Sequence, residues 1–277
     1  MTQPPRFRAA RAGLLSALLL LAAPAAAHDF WMEPVVFGAG EGEVIPVRFR
    51  VGHSGESDAW RLHPERVIGL RAFGPNGVID LQSTVDAKTR MATFDLPPGA
   101  YVVSLESQDA TSVLEAERFN DFVADEGITP IALHRVRTRA TDAPGRERYS
   151  RRGKTLLRVG DPAGHDTDHL LRPLGLTLDL VPEADPLALG ADDALPVRVF
   201  YRGAPTPGVS VRLHSLDDPD RAPVTRKTDA SGRVSFPPAE PGNYAVFAVW
   251  SAPLETVGAD AQHDYDTIFA SLTFERG

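Results

Sequence analysis

The side chains here best suited to chemistry are imidazoles, and one stands at an unusual place. His28 follows the small residues Ala25, Ala26 and Ala27 and opens the stretch His28-Asp29-Phe30-Trp31. Ahead of it lie Arg6, Arg8 and Arg11, then an apolar run from Leu14 to Ala27. A basic start, a short apolar run and a small-residue end form a secretory signal peptide, so residues 1–27 are expected to be removed on export. Cleavage after Ala27 puts small residues, Ala25 and Ala27, at the two positions the peptidase reads; cleavage after Ala26 would put Pro24 at one of them. His28 is therefore expected to begin the mature chain.

A histidine at a free N-terminus offers two nitrogens. Its α-amine has a pKa of roughly 7.7–8.0, so it sheds its proton readily to a cation. Its imidazole Nδ1 can close a chelate ring with that amine. One further imidazole would complete a three-nitrogen site of the kind that takes Cu(II) or Ni(II). His53, in the Gly-rich stretch "RVGHSGESDAW", follows an apolar strand pattern and is the first candidate for that role. Asp29 could serve as an oxygen ligand or orient one of the nitrogens. His263, with Asp264 and Asp266 in "AQHDYDTIF", is a further candidate metal ligand, or part of an acidic loop before the last strand.

The other histidines carry less. His165 and His169 in "GHDTDH" have i, i+4 spacing, but Pro162 and Gly164 favour a solvated loop and no HExxH glutamate is present. His63 precedes a proline in a loop pattern, His134 lies in an apparent strand, and His214 falls near a strand end. No nucleophile elbow, P-loop or dinucleotide fingerprint appears, so no catalytic residue is assigned.

The formal charge is −8; losing Arg6, Arg8 and Arg11 leaves 26 basic against 37 acidic residues, or −11. That argues against nucleic acid, whose backbone demands a basic face. Cysteine is absent, which excludes thiolate metal sites and disulfides and fits a bacterial periplasm. Beyond the leader no apolar run reaches the roughly 20 residues of a membrane span, so none is expected in the mature form. A cluster of Arg146, Arg148, Arg151, Arg152 and Lys154 could meet a partner, or pair with local acids at the surface.

These residues must be positioned by strands. Short apolar runs such as "VIPVRFRVG", "YVVSLES" and "YAVFAVW" alternate with Gly and Pro, which number 23 and 24. The pattern predicts a mainly β chain of two antiparallel β-sandwich domains of prealbumin or Ig-like type. The expected divisions are an N-terminal sandwich at 28–125, a connecting segment at 126–171 and a C-terminal prealbumin-like sandwich at 172–277. "ATFDLPPGAYVVSLES" (92–107) is echoed by "VSFPPAEPGNYAVFAVW" (234–250), each a strand, a Pro-Gly turn, a tyrosine and a second strand. One short connecting helix is predicted at "EAERFNDFVADEG", where Phe119, Phe122 and Val123 share a face and Gly127 ends it.

Several segments together resemble one bacterial exported family, domain of unknown function 4198. They are "HDFWMEP", "RVGH", "ERFNDFVADEG", "RERYSRRGKTLLRVG", "LGLTLDLVPEADP", "VFYRGAPTPGVSV", "TDASGRVSF" and the terminal "ASLTFE". The resemblance spans nearly the whole mature chain, and its members are commonly described as periplasmic components of nickel or cobalt uptake. It implies binding of Ni2+ or Co2+ beside a membrane metal transporter, through His28, Asp29 and His53. Arg151-Arg152 stand where the family more often has an aromatic-Ala pair. A copper reading (Cu2+ on the same nitrogens, in a chaperone or oxidase) and a metal-free interaction module are the alternatives.

Overall fold

The computed structural model describes residues 29–53, 56–60, 63–161, 167–254 and 262–277. Ten strands precede the helices: β1 (Asp29–Pro34), β2 (Gly38–Ala39), β3 (Ile45–His53), β4 (Glu56–Ala59), β5 (Val67–Gly74), β6 (Gly77–Asp80), β7 (Val85–Asp86), β8 (Met91–Phe94), β9 (Gly99–Ser107) and β10 (Ala110–Leu114). Helices α1 (Ala116–Asp125) and α2 (Thr129–Thr138) follow, then the long β11 (Gly145–Val159). The remainder is β12 (Leu178–Pro182), β13 (Leu195–Tyr201), β14 (Ala204–Pro205), β15 (Ser210–Ser215), β16 (Val224–Lys227), β17 (Arg233–Phe236), β18 (Gly242–Pro253) and β19 (Tyr265–Arg276). The chain is mainly β and of the sandwich class, with no closed barrel.

The strands form three layers. A large sheet runs β16-β15-β18-β19-β11-β9-β5-β6, with β10 and β2 also on β11. A smaller sheet orders β1-β3-β8-β7, with β4 on β3. A third orders β12-β13-β14, with β17 on β13. Side chains of a strand alternate between faces, and on β9 and β11 that alternation feeds two cores. Ala100, Val102 and Leu156 join Leu180, Val197, Val199 and Phe274 on one side. Tyr101, Val103 and Leu157 join Phe30, Met32, Val47 and Phe49 on the other. The helices cover the far end of that second face, where Phe119 and Ile131 pack on Val249, Tyr265 and Phe269.

The stretch 126–171 thus supplies α2 and β11. β11 pairs antiparallel with β9 and in parallel with β19, so it joins strands from both halves of the chain. Its cations pair with acids. Arg146 meets Asp264, Arg148 meets Asp266 and Asp109, Arg152 meets Glu106, Lys154 meets Asp179 and Arg158 meets Asp185. Arg146 and Arg148 stay partly exposed, whereas Lys154 and Asp179 are each 1 % exposed and 2.7 Å apart.

Two helices stand where one was predicted. α1 occupies the expected span. α2 contains His134, which the strand pattern had claimed. Pro130 sits in its first turn, where a missing N–H costs nothing. Its inward residues are Ile131 and Arg135, while Leu133 and Val136 are more than half exposed. With a cation inside and aliphatics outside, no apolar stripe marks the helix.

The internal echo has a structural counterpart. Tyr101 on β9 donates its hydroxyl proton to the Pro97 carbonyl at 2.8 Å, and Tyr244 on β18 donates to the Glu240 carbonyl at 2.8 Å. Each tyrosine pins its strand to the turn four residues upstream, the corner device of β-sandwiches.

Candidate functional site

Of the candidate ligands, Asp29 stands at the start of β1. Phe30 and Met32 anchor that strand in one core, and on the opposite face Trp31 packs edge-on to Phe247 at 5.6 Å. The Met32 carbonyl accepts from the Thr273 hydroxyl at 2.8 Å. Both faces of β1 are therefore held, and its register against β3 is fixed: Pro34 opposite Val47, and so on to Asp29 opposite Gly52. His53 follows Gly52 at the end of β3, where its backbone pairs with Glu56 of β4. His28 and the side chain of His53 lie outside the described residues.

Asp29 is buried and points away from the Phe30 core to Arg212 of β15. Arg212 Nη2 donates to Asp29 Oδ1 at 2.6 Å, and Nη1 donates to Glu126 Oε2. Glu126 caps the end of α1, so one guanidinium ties β1, β15 and α1 together. Two carboxylates share a single cation. Burial pushes the Asp29 carboxyl above the usual range, and the attraction of Arg212 only partly offsets it. Burial works against the Arg212 charge as well, but Asp29 and Glu126 outweigh it and hold that guanidinium above its ordinary value. Asp29 thus works as an ion-pair partner beside the residue-28 position.

His263 is not part of this group. Arg212 aligns with Phe247, and Phe247 with Ser271 of β19. From residue 271 back to 263 is roughly 25 Å at the ~3.3 Å rise of a strand. His263 Nδ1 is buried with no partner among the described residues, and its neighbour Asp264 grips Arg146 through both carboxylate oxygens. Asp266 is taken by Arg148 and Arg202.

The remaining histidines divide likewise. His63 is exposed near Glu65, at 3.6 Å. His169 anchors its turn through Nε2, 2.9 Å from the Ala100 carbonyl; its proposed companion His165 lies outside the described residues. His214 is buried edge-on to Phe247. Among the described residues, no three His, Asp or Glu side chains are grouped to hold a metal ion. None of their helices is long and apolar enough to cross a membrane.

Residues 25–252 match the family model described as Domain of unknown function (DUF4198). The chain belongs to the DUF4198 family. The matched span includes Asp29, His53, Glu126 and Arg212 of this DUF4198 chain and ends before His263. No curated protein matches it at a significant level. Among solved structures, the D0-D1 domain of intimin is 14% identical, with 89% of this chain and 97% of that one covered and a TM-score of 0.20. A Salmonella alpha-2-macroglobulin is 15% identical (93% and 15% covered, TM-score 0.22). Latent PorU from Porphyromonas gingivalis is 10% identical (94% and 21% covered, TM-score 0.21). The chain spans only a small part of the last two, and likeness at this level carries no statement about function.

Spacing in the sequence offered no signal for Glu126 and Arg212. They stand 86 residues apart, and Arg212 is 183 residues from Asp29.

Proposed function

We propose that this protein is an exported, periplasmic metal-binding protein that takes up Ni2+ or Co2+ as cargo through the mature N-terminal residue His28 and the loop residue His53. The observation that supports this best is the β1–β3 register, in which Asp29 lies opposite Gly52. Asp29 and Gly52, the chain neighbours of His28 and His53, thus face each other at one end of the ladder. In an antiparallel pair, directly opposed Cα atoms are about 4.5–5.5 Å apart. That spacing is compatible with two imidazoles and one amine converging on one cation.

On this reading Asp29 is a positioning residue. Its ion pair with Arg212 holds the first rung of β1, so that the amine and ring emerge beside the β3–β4 turn. Asp29, Glu126 and Arg212 carry a formal charge of −1 between them, which favours a cation nearby. His263, at the far end of β19, plays no part. The choice of nickel or cobalt rests on the family resemblance; Cu2+ lies higher in the usual affinity order for the same nitrogens. The chain would hand the ion to a membrane transporter beside it.

Calorimetric titration of protein beginning at His28 with Ni(II), Co(II) and Cu(II) tests the reading. One equivalent of nickel or cobalt should bind, and His53→Ala should weaken it by at least about ten-fold, the scale on which even supporting groups of metal sites count. Binding of copper alone would favour the copper reading, and no binding of any of the three would end both.

A further inference from the structure

A second feature lies at the start of β19. The first turns of β11 and β19, helix α2 and the turn after it enclose a cavity of about 610 Å³, within the range of small-molecule sites. Part of its wall is apolar: Val113 of β10, Leu254 after β18, and Ala140, Ala143 and Pro144 in the turn. The rest is polar and basic, from Arg135, His134, Arg146, Asp264 and Tyr265.

The decisive residue is Arg135. Its side chain is 1 % exposed, yet no carboxylate pairs with it among the described residues. Nε donates to Asn120 Oδ1 at 2.8 Å, and Nη2 donates to the carbonyls of Ala143 at 2.7 Å and Thr141 at 3.3 Å. The ring of Phe119 lies under the guanidinium at 4.9 Å. Nη1 has only the Tyr265 hydroxyl, at 3.5 Å, beyond the range of a good N–H···O bond. Among the described residues that hydroxyl donates to no partner, and His134 Nδ1 has none. Buried charges are ordinarily paired. Here, among the described residues, the guanidinium is held in place by neutral acceptors alone.

We propose that this cavity binds a small organic monocarboxylate with an apolar body, its carboxylate accepting from Arg135 Nη1 and from the Tyr265 hydroxyl. The charge count selects a monoanion. Arg146 is neutralised by Asp264 through 2.7 and 2.9 Å contacts, so among the described residues Arg135 is the wall cation with no carboxylate beside it. A planar carboxylate matches a guanidinium edge, and the aliphatic wall takes the remainder of the molecule. Asp29 pairs with Arg212, whose register reaches the middle of β19 at Ser271, whereas the cavity lies at Tyr265, where that strand begins.

The test is calorimetry on the full mature protein with hexanoate and benzoate, against hexanamide, benzamide and inorganic phosphate. At least one carboxylate should bind one-to-one, with its matching amide weaker by about ten-fold or more, the worth of a charge-assisted bond. Tyr265→Phe, which keeps the ring stacked on Phe119, should weaken the carboxylate several-fold. Ala143→Trp, at an exposed position on the rim, should abolish binding without changing the melting temperature. Failure of both carboxylates, equal binding of acid and amide, tighter binding of phosphate, or full binding by a folded Ala143→Trp protein would each overturn the assignment.

Discussion

Arg212 holds Asp29 and Glu126 at once, and this sharing sets the chemistry around the start of β1. Burial there favours the Asp29 proton, and the guanidinium opposes that only in part. The histidines and Asp29 were legible as candidates because "HDFW" and "RVGH" are local patterns. The arginine and glutamate that fix Asp29 were not, because only folding brings them to it. A second interior acid makes a test at the same scale. Burial raises the Glu147 carboxyl, and the Thr267 hydroxyl that donates to it at 2.8 Å only partly compensates. The folded chain then binds this proton more tightly than the unfolded chain does. Stability should fall as pH rises from the ordinary carboxylate range through the raised value. Glu147→Gln removes that loss, so the variant is expected to resist urea better than the parent at neutral pH, with the advantage shrinking in acid. A variant weaker than its parent at neutral pH would show that the ionised carboxylate stabilises the fold.

At the scale of elements, most strands were legible. β9 and β19 are buried along nearly their whole length; β9 shows the apolar run Ala100–Val103 of a doubly covered strand, while β19 buries Thr267, Ser271 and Thr273 between its apolar residues. β11 was hidden by its cations and α2 by its inverted polarity, with Arg135 inside and Leu133 and Val136 outside. α1 was readable because Phe119 and Val123 mark its buried face. Its docking depends on a residue type that the pattern does not reveal. A Cβ on Gly145, the first residue of β11, would lie 2.1 Å from the Phe119 ring. Gly145→Ala should therefore destabilise the protein by about 1–3 kcal/mol, the usual scale of overpacking. Gly38→Ala, where the added carbon meets nothing within 4 Å, is the control. Equal melting temperatures for the two variants would contradict this account of helix docking.

At the scale of the molecule, the two sandwich cores lie on opposite faces of one shared sheet. The sequence pattern conveyed the class of fold and the repeated tyrosine corner. The shared middle layer depends on the parallel β11–β19 pairing between segments over 100 residues apart, which short-range periodicity does not encode. The architecture leaves the start of β1 at the end of a well-anchored ladder, and the metal-binding proposal draws its force from that placement. The most direct measurement compares Ni(II) affinity for protein beginning at His28 with that for protein carrying one added alanine before it, once the first residue of the exported chain has been identified by mass spectrometry. The account predicts that the exported chain begins at His28, binds one Ni(II), and loses at least about ten-fold in affinity when its amine is displaced by the extra residue. An exported chain starting downstream of His28, or equal affinity for the two forms, would contradict it.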